Sequence, residues 1–230
     1  MTIAHPEGLK PRKTPRQARS EVTVEAIFEA TIQVLLTEGL RRLTTTRVAE
    51  RAGVSVGTMY QYFPHKQALL YAVLRRHLDA VAKAVETAGG RYRGQPIATI
   101  ANGLVAAFID AKAARADVSR ALYLVAAGLD TSELLDGMSR RIHDATATLL
   151  ESAADAEFDE LPLVTFTLLS AMFGTVRMIF ERGATPATWR GLRAHLPAMC
   201  RAYLRETATE KRPAPTPPVP PSRKTTRPGK

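Results

Sequence analysis

Apolar residues recur along this chain at spacings of three and four, the period of a helix with one buried face. Val24, Ile27, Phe28, Ile32, Leu35 and Leu36 follow that spacing, which predicts a helix over 20–37 that stops at Gly39. Two short helices are predicted next, at 45–52 and about 55–63, separated by Gly53 and ended by Pro64. Leu69, Leu70, Val73, Leu74, Leu78, Val81 and Val85 then mark one side of a long helix over 66–88, closed by Gly89 and Gly90. Further helices are expected at 96–113, 118–127, 132–154, 161–182 and 186–205, with Gly128, Leu161-Pro162 and Gly183 to Pro186 as punctuation. No run alternates with period two and no internal repeat is visible. The expected fold is all-α, with about nine helices.

The two ends depart from this pattern. Seven of the fifteen prolines lie between Pro213 and Pro228, which excludes a helix or a sheet core there. Residues 208–230 therefore read as a basic, Pro-rich disordered tail, and residues 1–17 as a shorter arm of the same kind. Charge sharpens the division. The net charge of +10 is concentrated in residues 1–20 (+4), 39–77 (+6) and 207–230 (+5), whereas 21–38 carries −4 and 78–206 only −1. Basic arms flanking a basic folded segment suggest a polyanionic partner.

Composition removes several classes. With 45% hydrophobic and 23% charged residues, the 230-residue chain can bury a core. The single cysteine, Cys200, excludes an intrachain disulfide and reads as a small buried apolar residue. The N-terminus lacks a signal-peptide apolar core, and the uncharged run from Leu161 to Val176 falls short of the ~20 residues a spanning helix needs. A cytoplasmic protein without membrane association is expected.

One segment carries specific chemistry: Leu43 to Phe63, LTTTRVAERAGVSVGTMYQYF. Thr44 can cap a helix beginning at Thr45, with Leu43 and Val48 as a hydrophobic staple across its start. Counting from Thr45, apolar Val48, Ala52, Val54, Met59 and Tyr62 fall at 4, 8, 10, 15 and 18. Small Ala49 sits where a second helix crosses, and Gly53 where the turn needs a left-handed residue. This is the pattern of a helix-turn-helix, which lays its second helix in a DNA major groove.

With its flanks, GLRRLTTTRVAERAGVSVGTMYQYFPHKQALLYAVL, the segment resembles the DNA-binding domain of TetR-family transcriptional regulators, over about Arg16 to Asp79. The resemblance implies a three-helix DNA-binding domain at 18–78 and a helical ligand-binding and dimerisation domain at 79–207. It implies that Ser55, Val56, Gly57, Thr58, Gln61 and Tyr62 are exposed recognition-helix residues. Gly57 would allow close approach, Val56 and Thr58 could touch thymine methyls, and Gln61 could read adenine. Tyr60 and Tyr62 would contact phosphate or base, one tyrosine face also packing on the core. Thr44, Thr45, Thr46, Arg47, His65 and Lys66 would form the backbone clamp, Lys66 at a helix N-terminus.

The resemblance also implies that helices 161–182 and 186–205 pair with a second copy. The expected interface stripe is Val164, Leu168, Ala171, Thr175 and Met178 with Leu192, Leu196, Met199 and Tyr203, and Pro197 is expected to kink the last helix. Leu104, Phe108, Tyr123, Ile142, Leu169, Met172, Phe173, Val176 and Trp189 are candidate lining for an effector cavity in which no buried charge is legible.

Other motifs carry less. Gly53-Val54-Ser55-Val56-Gly57 matches the serine-hydrolase elbow G-x-S-x-G, but the residues before it read as helix and no sheet pattern supports it. The five histidines lack metal-ligand spacing, Asp155, Glu157, Asp159 and Glu160 read as a solvated loop, and Gly89-Gly90 lacks the ending of a phosphate loop. No catalytic residue, metal or cofactor is expected. The expected function is a homodimeric, ligand-responsive repressor on a palindromic double-stranded operator. The alternative is an effector-independent nucleoid or cell-division scaffold of the same fold.

Overall fold

The computed structural model describes residues 18–183 and 185–210. Both proposed arms, 1–17 and all of the tail beyond 210, lie outside the described residues. Among the described residues nine helices account for nearly all regular structure: α1 (Ala18–Glu38), α2 (Thr45–Ala52), α3 (Val56–Tyr62), α4 (Lys66–Tyr92), α5 (Ile97–Ala113), α6 (Ala116–Ala127), α7 (Ser132–Glu151), α8 (Leu161–Arg182) and α9 (Pro186–Thr207). One feature was not expected: β1 (Ala156–Glu157) pairs antiparallel with β2 (Thr209–Glu210), each only two residues long. The start of the supposed tail, 208–210, is thereby tied to the loop before α8.

The chain folds around one continuous set of buried side chains running from Ile27 in α1 to Leu204 in α9. α4 is its axis. It is 27 residues long, buries Leu69, Leu70, Tyr71, Val73, Leu74, Leu78, Val81 and Val85, and packs on α7 and α5. The glycine pair Gly89-Gly90, expected to end this helix, lies inside it, because tertiary packing of the last turn outweighs the roughly 1 kcal/mol helix penalty of each glycine. That turn carries Tyr92 onto Gly103 of α5, where an added Cβ would stand 2.2 Å from the ring. Only glycine admits the tyrosine at this crossing.

The remaining corrections are small. α7 ends at Glu151 rather than 154, α6 begins at Ala116, and Pro197 sits within α9 without ending it. Asp155, read as a solvated acid, accepts the backbone N–H of Ile97 at 2.7 Å and caps α5 from a distant loop. Pro96, at the head of α5, has no side-chain acceptor to offer, so the cap must come from elsewhere. α8 has its expected bounds, but the helix as a whole exceeds the uncharged run that was read as too short to span a membrane. Over 18 residues its mean hydropathy is 1.7, long and apolar enough to cross a membrane by length and composition. In the fold it lies against α7, α9 and α6.

Candidate nucleic-acid interface

Helices of eight and seven residues do not hold themselves in water, so local bonds and the core beneath them must fix α2 and α3. Each begins at a capping hydroxyl. Thr44 accepts the N–H of Arg47 at 3.3 Å, and Ser55 accepts that of Thr58 at 3.0 Å. Between the helices, Gly53 takes φ 67° and ψ 28°. Its N–H reaches Glu50 O at 3.2 Å and that of Val54 reaches Ala49 O at 3.0 Å, the paired bonds of a Schellman stop. A side chain at Gly53 would be strained in this left-handed backbone.

Below the turn, Val48, Ala49, Met59, Tyr62 and Phe63 are all buried. Phe63 packs against Phe28 of α1 with ring centroids 5.7 Å apart. Its extended backbone, φ −129° and ψ 104°, is what a following proline imposes, so Pro64 ends α3 and turns the chain toward α4. His65 caps α4: its Nδ1 accepts the N–H of Ala68 at 3.1 Å.

This framework leaves one polar surface outward. Thr44, Thr46, Arg47, Ser55, Val56, Gly57, Tyr60 and Gln61 are exposed, and Thr58 is half-buried. The expected set needs three adjustments. Tyr62 is buried at 6% exposure beside Phe63, so it belongs to the core and not to the exposed face. Position 18 of the motif is an apolar position, and in the fold that role prevails over the base contact the resemblance implied. Thr45 is also buried, and its hydroxyl lies 3.3 Å from that of Tyr60, orienting the exposed ring of Tyr60. Lys66 donates to Leu40 O at 2.6 Å, and Arg47 pairs with Glu38 at 2.5 Å and donates to Arg42 O. In this state both cations brace the domain. Arg41, Arg42 and Arg51 are exposed in the same domain and were not among the expected contacts. Only the +6 charge of residues 39–77 signalled them.

The C-terminal helices redistribute the other expected residues. Leu104, Phe108, Ile142, Leu169, Met172 and Val176 are buried, while Tyr123, Phe173 and Trp189 are half-buried at their edge. Aromatic contacts join several of them: Phe108 to Phe173 at 4.8 Å, and Phe180 to Tyr123 and Trp189 at 5.5 and 5.6 Å. A charge is buried beside this cluster, contrary to expectation. Lys112 is 3% exposed, its ammonium 5.5 Å from the Tyr123 ring centre, and among the described residues no carboxylate forms an ion pair with it. Burial pulls its pKa down to about 8. At the end of an apolar helix, Lys112 reads in sequence as a solvated terminal cation.

The residues of the expected dimer stripe divide between the chain's own core and its surface, Met178 and Met199 being exposed. Val164 and Leu168 of α8, and Leu192 and Leu196 of α9, are buried in their own chain, while Ala171, Thr175 and Tyr203 are half-buried. A helix apolar on nearly every side offers two equivalent stripes, and here the larger aliphatic side chains take the chain's own core. Outward lie Leu163, Phe166 and Met178 of α8 and Met199 of α9, with Phe166 63% exposed. Cys200 is buried as expected, which raises its thiol pKa to about 11 and keeps it neutral.

Two family models match this chain. Residues 27–73 match "Bacterial regulatory proteins, tetR family" and residues 96–204 match "Tetracyclin repressor-like, C-terminal domain". An uncharacterized HTH-type transcriptional regulator of Mycobacterium tuberculosis is 29% identical over 184 residues, covering 74% of this chain and 88% of that one. The HTH-type transcriptional repressor KstR of Mycolicibacterium smegmatis is 40% identical over 67 residues, covering 28% of this chain and 33% of the repressor. In fold, a TetR-family regulator from Mesorhizobium loti superposes with a TM-score of 0.65 at 16% identity, over 84% of this chain and 100% of that one.

Proposed function

From the premise that this chain belongs to the TetR family of DNA-binding transcriptional regulators, we propose that it acts in the cytoplasm as a homodimeric repressor of a palindromic operator, released by a small-molecule effector. The observation that carries this reading is the outer face of α3. Ser55, Val56, Gly57, Thr58, Tyr60 and Gln61 point away from a core that Met59, Tyr62 and Phe63 complete. Gly57 keeps the backbone open to the duplex and Gln61 supplies a donor and an acceptor suited to the adenine edge. Thr44, Thr46 and the nearby arginines supply phosphate contacts, Arg47 and Lys66 after exchanging their internal partners.

Two such faces require two chains. Phe166, Leu163, Met178 and Met199 form the apolar part of an outward α8–α9 surface, and a second copy seated there would place two α3 helices on one duplex. The effector site in this reading lies around Tyr123, Phe173 and Trp189, whose half-buried rings border the buried Phe108, Met172 and Val176. A ligand that binds better to the DNA-free arrangement lowers operator affinity by the same factor by which DNA lowers its own.

Selection of binding sites from a random DNA pool by the full chain, at about 150 mM salt where phosphate-only binding weakens, tests the reading. A single palindromic motif is expected, with Gln61→Ala relaxing one position in each half-site. Salt-sensitive binding without a motif overturns the operator reading. Phe166→Glu is expected to give a folded monomer by light scattering. An unchanged dimer mass removes the α8–α9 surface from the interface.

A further inference from the structure

A cleft of about 230 Å³ lies where the DNA-binding domain meets the C-terminal body, lined by none of the aromatic residues assigned above to the effector. Its walls come from both sides. Phe28 and Ile32 of α1 face Val73 of α4 and Val118 and Leu122 of α6. A cavity of ~150 Å³ with apolar walls holds a benzene ring, so this one accommodates an aromatic ring or a short alkyl chain bearing one further group.

The polar groups around it specify that group. Arg115, in the turn that leads into α6, reaches Glu29 of α1 through Nη1 alone, 3.0 Å from each carboxylate oxygen, leaving Nη2 and Nε of the guanidinium free of that pair. Arg76 of α4 is bound to Glu25 and lies 5.4 Å over the Phe28 ring. His77 also lines the cleft, with Nε2 3.2 Å from Ser119 Oγ, and that hydroxyl donates to Lys112 O at 3.1 Å. Since the serine proton is committed to the carbonyl, Nε2 of His77 carries the hydrogen and Nδ1 a lone pair. Behind this chain lies the buried ammonium of Lys112. Arg76 and Arg115 pair with Glu25 and Glu29, while among the described residues no carboxylate forms an ion pair with Lys112. The same field acts on His77, whose pKa falls to about 4 through burial first, then Lys112 and Arg115.

We propose that this interdomain cleft is a second ligand site, which takes a small organic carboxylate with an aromatic or short aliphatic body. The body occupies the space between Phe28, Ile32, Val73 and Leu122, and the carboxylate pairs with Arg115 in competition with Glu29. The site is regulatory by position. The Glu29–Arg115 pair ties α1 to the turn at the head of α6, and an occupant that takes Arg115 from Glu29 loosens the seat of α1 and with it the α2–α3 head. Its effect on DNA rests on the operator reading above, whereas binding of the carboxylate does not.

Benzoate and hexanoate are the probes, with benzyl alcohol as the uncharged control, titrated into the full chain without DNA. The His77 ring protons, assigned by comparison with His77→Gln, provide the NMR readout. Saturable binding of a carboxylate is expected at pH 7, where the probe is ionised, with a saturable displacement of the His77 ring-proton resonances. Arg115→Gln and Ala111→Leu, the latter filling the cleft from its wall, should each weaken binding at least tenfold in chains that melt as cooperatively as the parent. The site is overturned if neither carboxylate saturates, if both variants bind like the parent, or if the His77 ring protons do not shift on saturation at pH 7. Equal binding of benzyl alcohol overturns the anionic class. With the selected operator as probe, saturating carboxylate should lower affinity at least fivefold. An unchanged affinity overturns the regulatory role and leaves the carboxylate binding measured without DNA as a separate result.

Discussion

The DNA-binding head and the C-terminal body solve the same problem, holding helices in place, by different means. Helices α2, α3 and α4 each start at a side chain that accepts an orphan N–H: Thr44, Ser55 and His65. In the body, α5, α6, α7 and α8 start without a side-chain cap bond from their own first residue, and only α9 has one, from Thr185. Short helices that present a polar face to a partner bury little, so local bonds must define them. Longer helices draw more on packing: α4 and α9 still begin at a cap, α5 takes one from Asp155, and α6, α7 and α8 begin without one from the residue before them. The head is therefore specified position by position and the body collectively, which leaves the body able to tolerate a buried charge and half-filled aromatic edges.

The largest test of this contrast is truncation of one aromatic in each region. Phe63 is 2% exposed and meets Phe28 and Tyr62, so Phe63→Ala should cost about 3–5 kcal/mol and abolish DNA binding. Phe173 is half-buried and edge-on to Phe108, so Phe173→Ala should cost clearly less, about 1–2 kcal/mol. Urea unfolding of both variants measures the difference. Equal losses would show the body to be as tightly specified as the head.

A change of opposite sign should come from Lys112. Its folded-state pKa of about 8 lies below the ordinary 10.5, so folding disfavours the charged form. Above about 10.5 the lysine is neutral in both states and contributes nothing. As pH falls through 8 the fold takes on the full penalty, roughly 3 kcal/mol by linkage. Lys112→Met should therefore stabilise the chain at pH 7 by up to that amount, the gain fading between about pH 8 and 10.5. The variant's His77 should titrate higher, since Lys112 is one of the groups depressing it. A variant less stable than its parent at pH 7 would show that the ammonium contributes favourably to the fold.

The same contrast explains what could be read before the structure. Gly53, Thr44 and Pro64 each require a residue type for a local reason, so the turn, the cap of α2 and the end of α3 were legible from sequence, whereas Ser55, read as a recognition-helix residue, proves to be the cap of α3. So was the all-helical class, because periodicity survives without knowing what lies opposite. Which stripe of α8 faces inward was not legible, since Leu168 and Phe166 are both apolar and only the neighbouring helices choose between them. Tyr62 was half legible: its motif position is apolar, but its hydroxyl suggested a contact with DNA. Lys112 was hidden because burial depends on α6 and the Tyr123 ring folding over it, and nothing within its own helix announces that.

The smallest predicted effects concern the caps and test the contrast most directly. Ser55→Ala removes the acceptor from the Thr58 N–H and should cost about 1 kcal/mol. Glu160→Ala, at the start of uncapped α8, should stay within about 0.5 kcal/mol. Ser55 also lies on the proposed DNA face, so loss of affinity in Ser55→Ala would mix two causes. Ser55→Asp separates them. The carboxylate still accepts the Thr58 N–H and suits a helix N-terminus, so stability should return to within a few tenths of a kcal/mol of the parent. Its negative charge would meet the phosphates or base edges approached by α3, so DNA binding should fall further than in Ser55→Ala. If Ser55→Asp recovered affinity along with stability, Ser55 would serve the fold alone, and the DNA-reading face would begin at Val56.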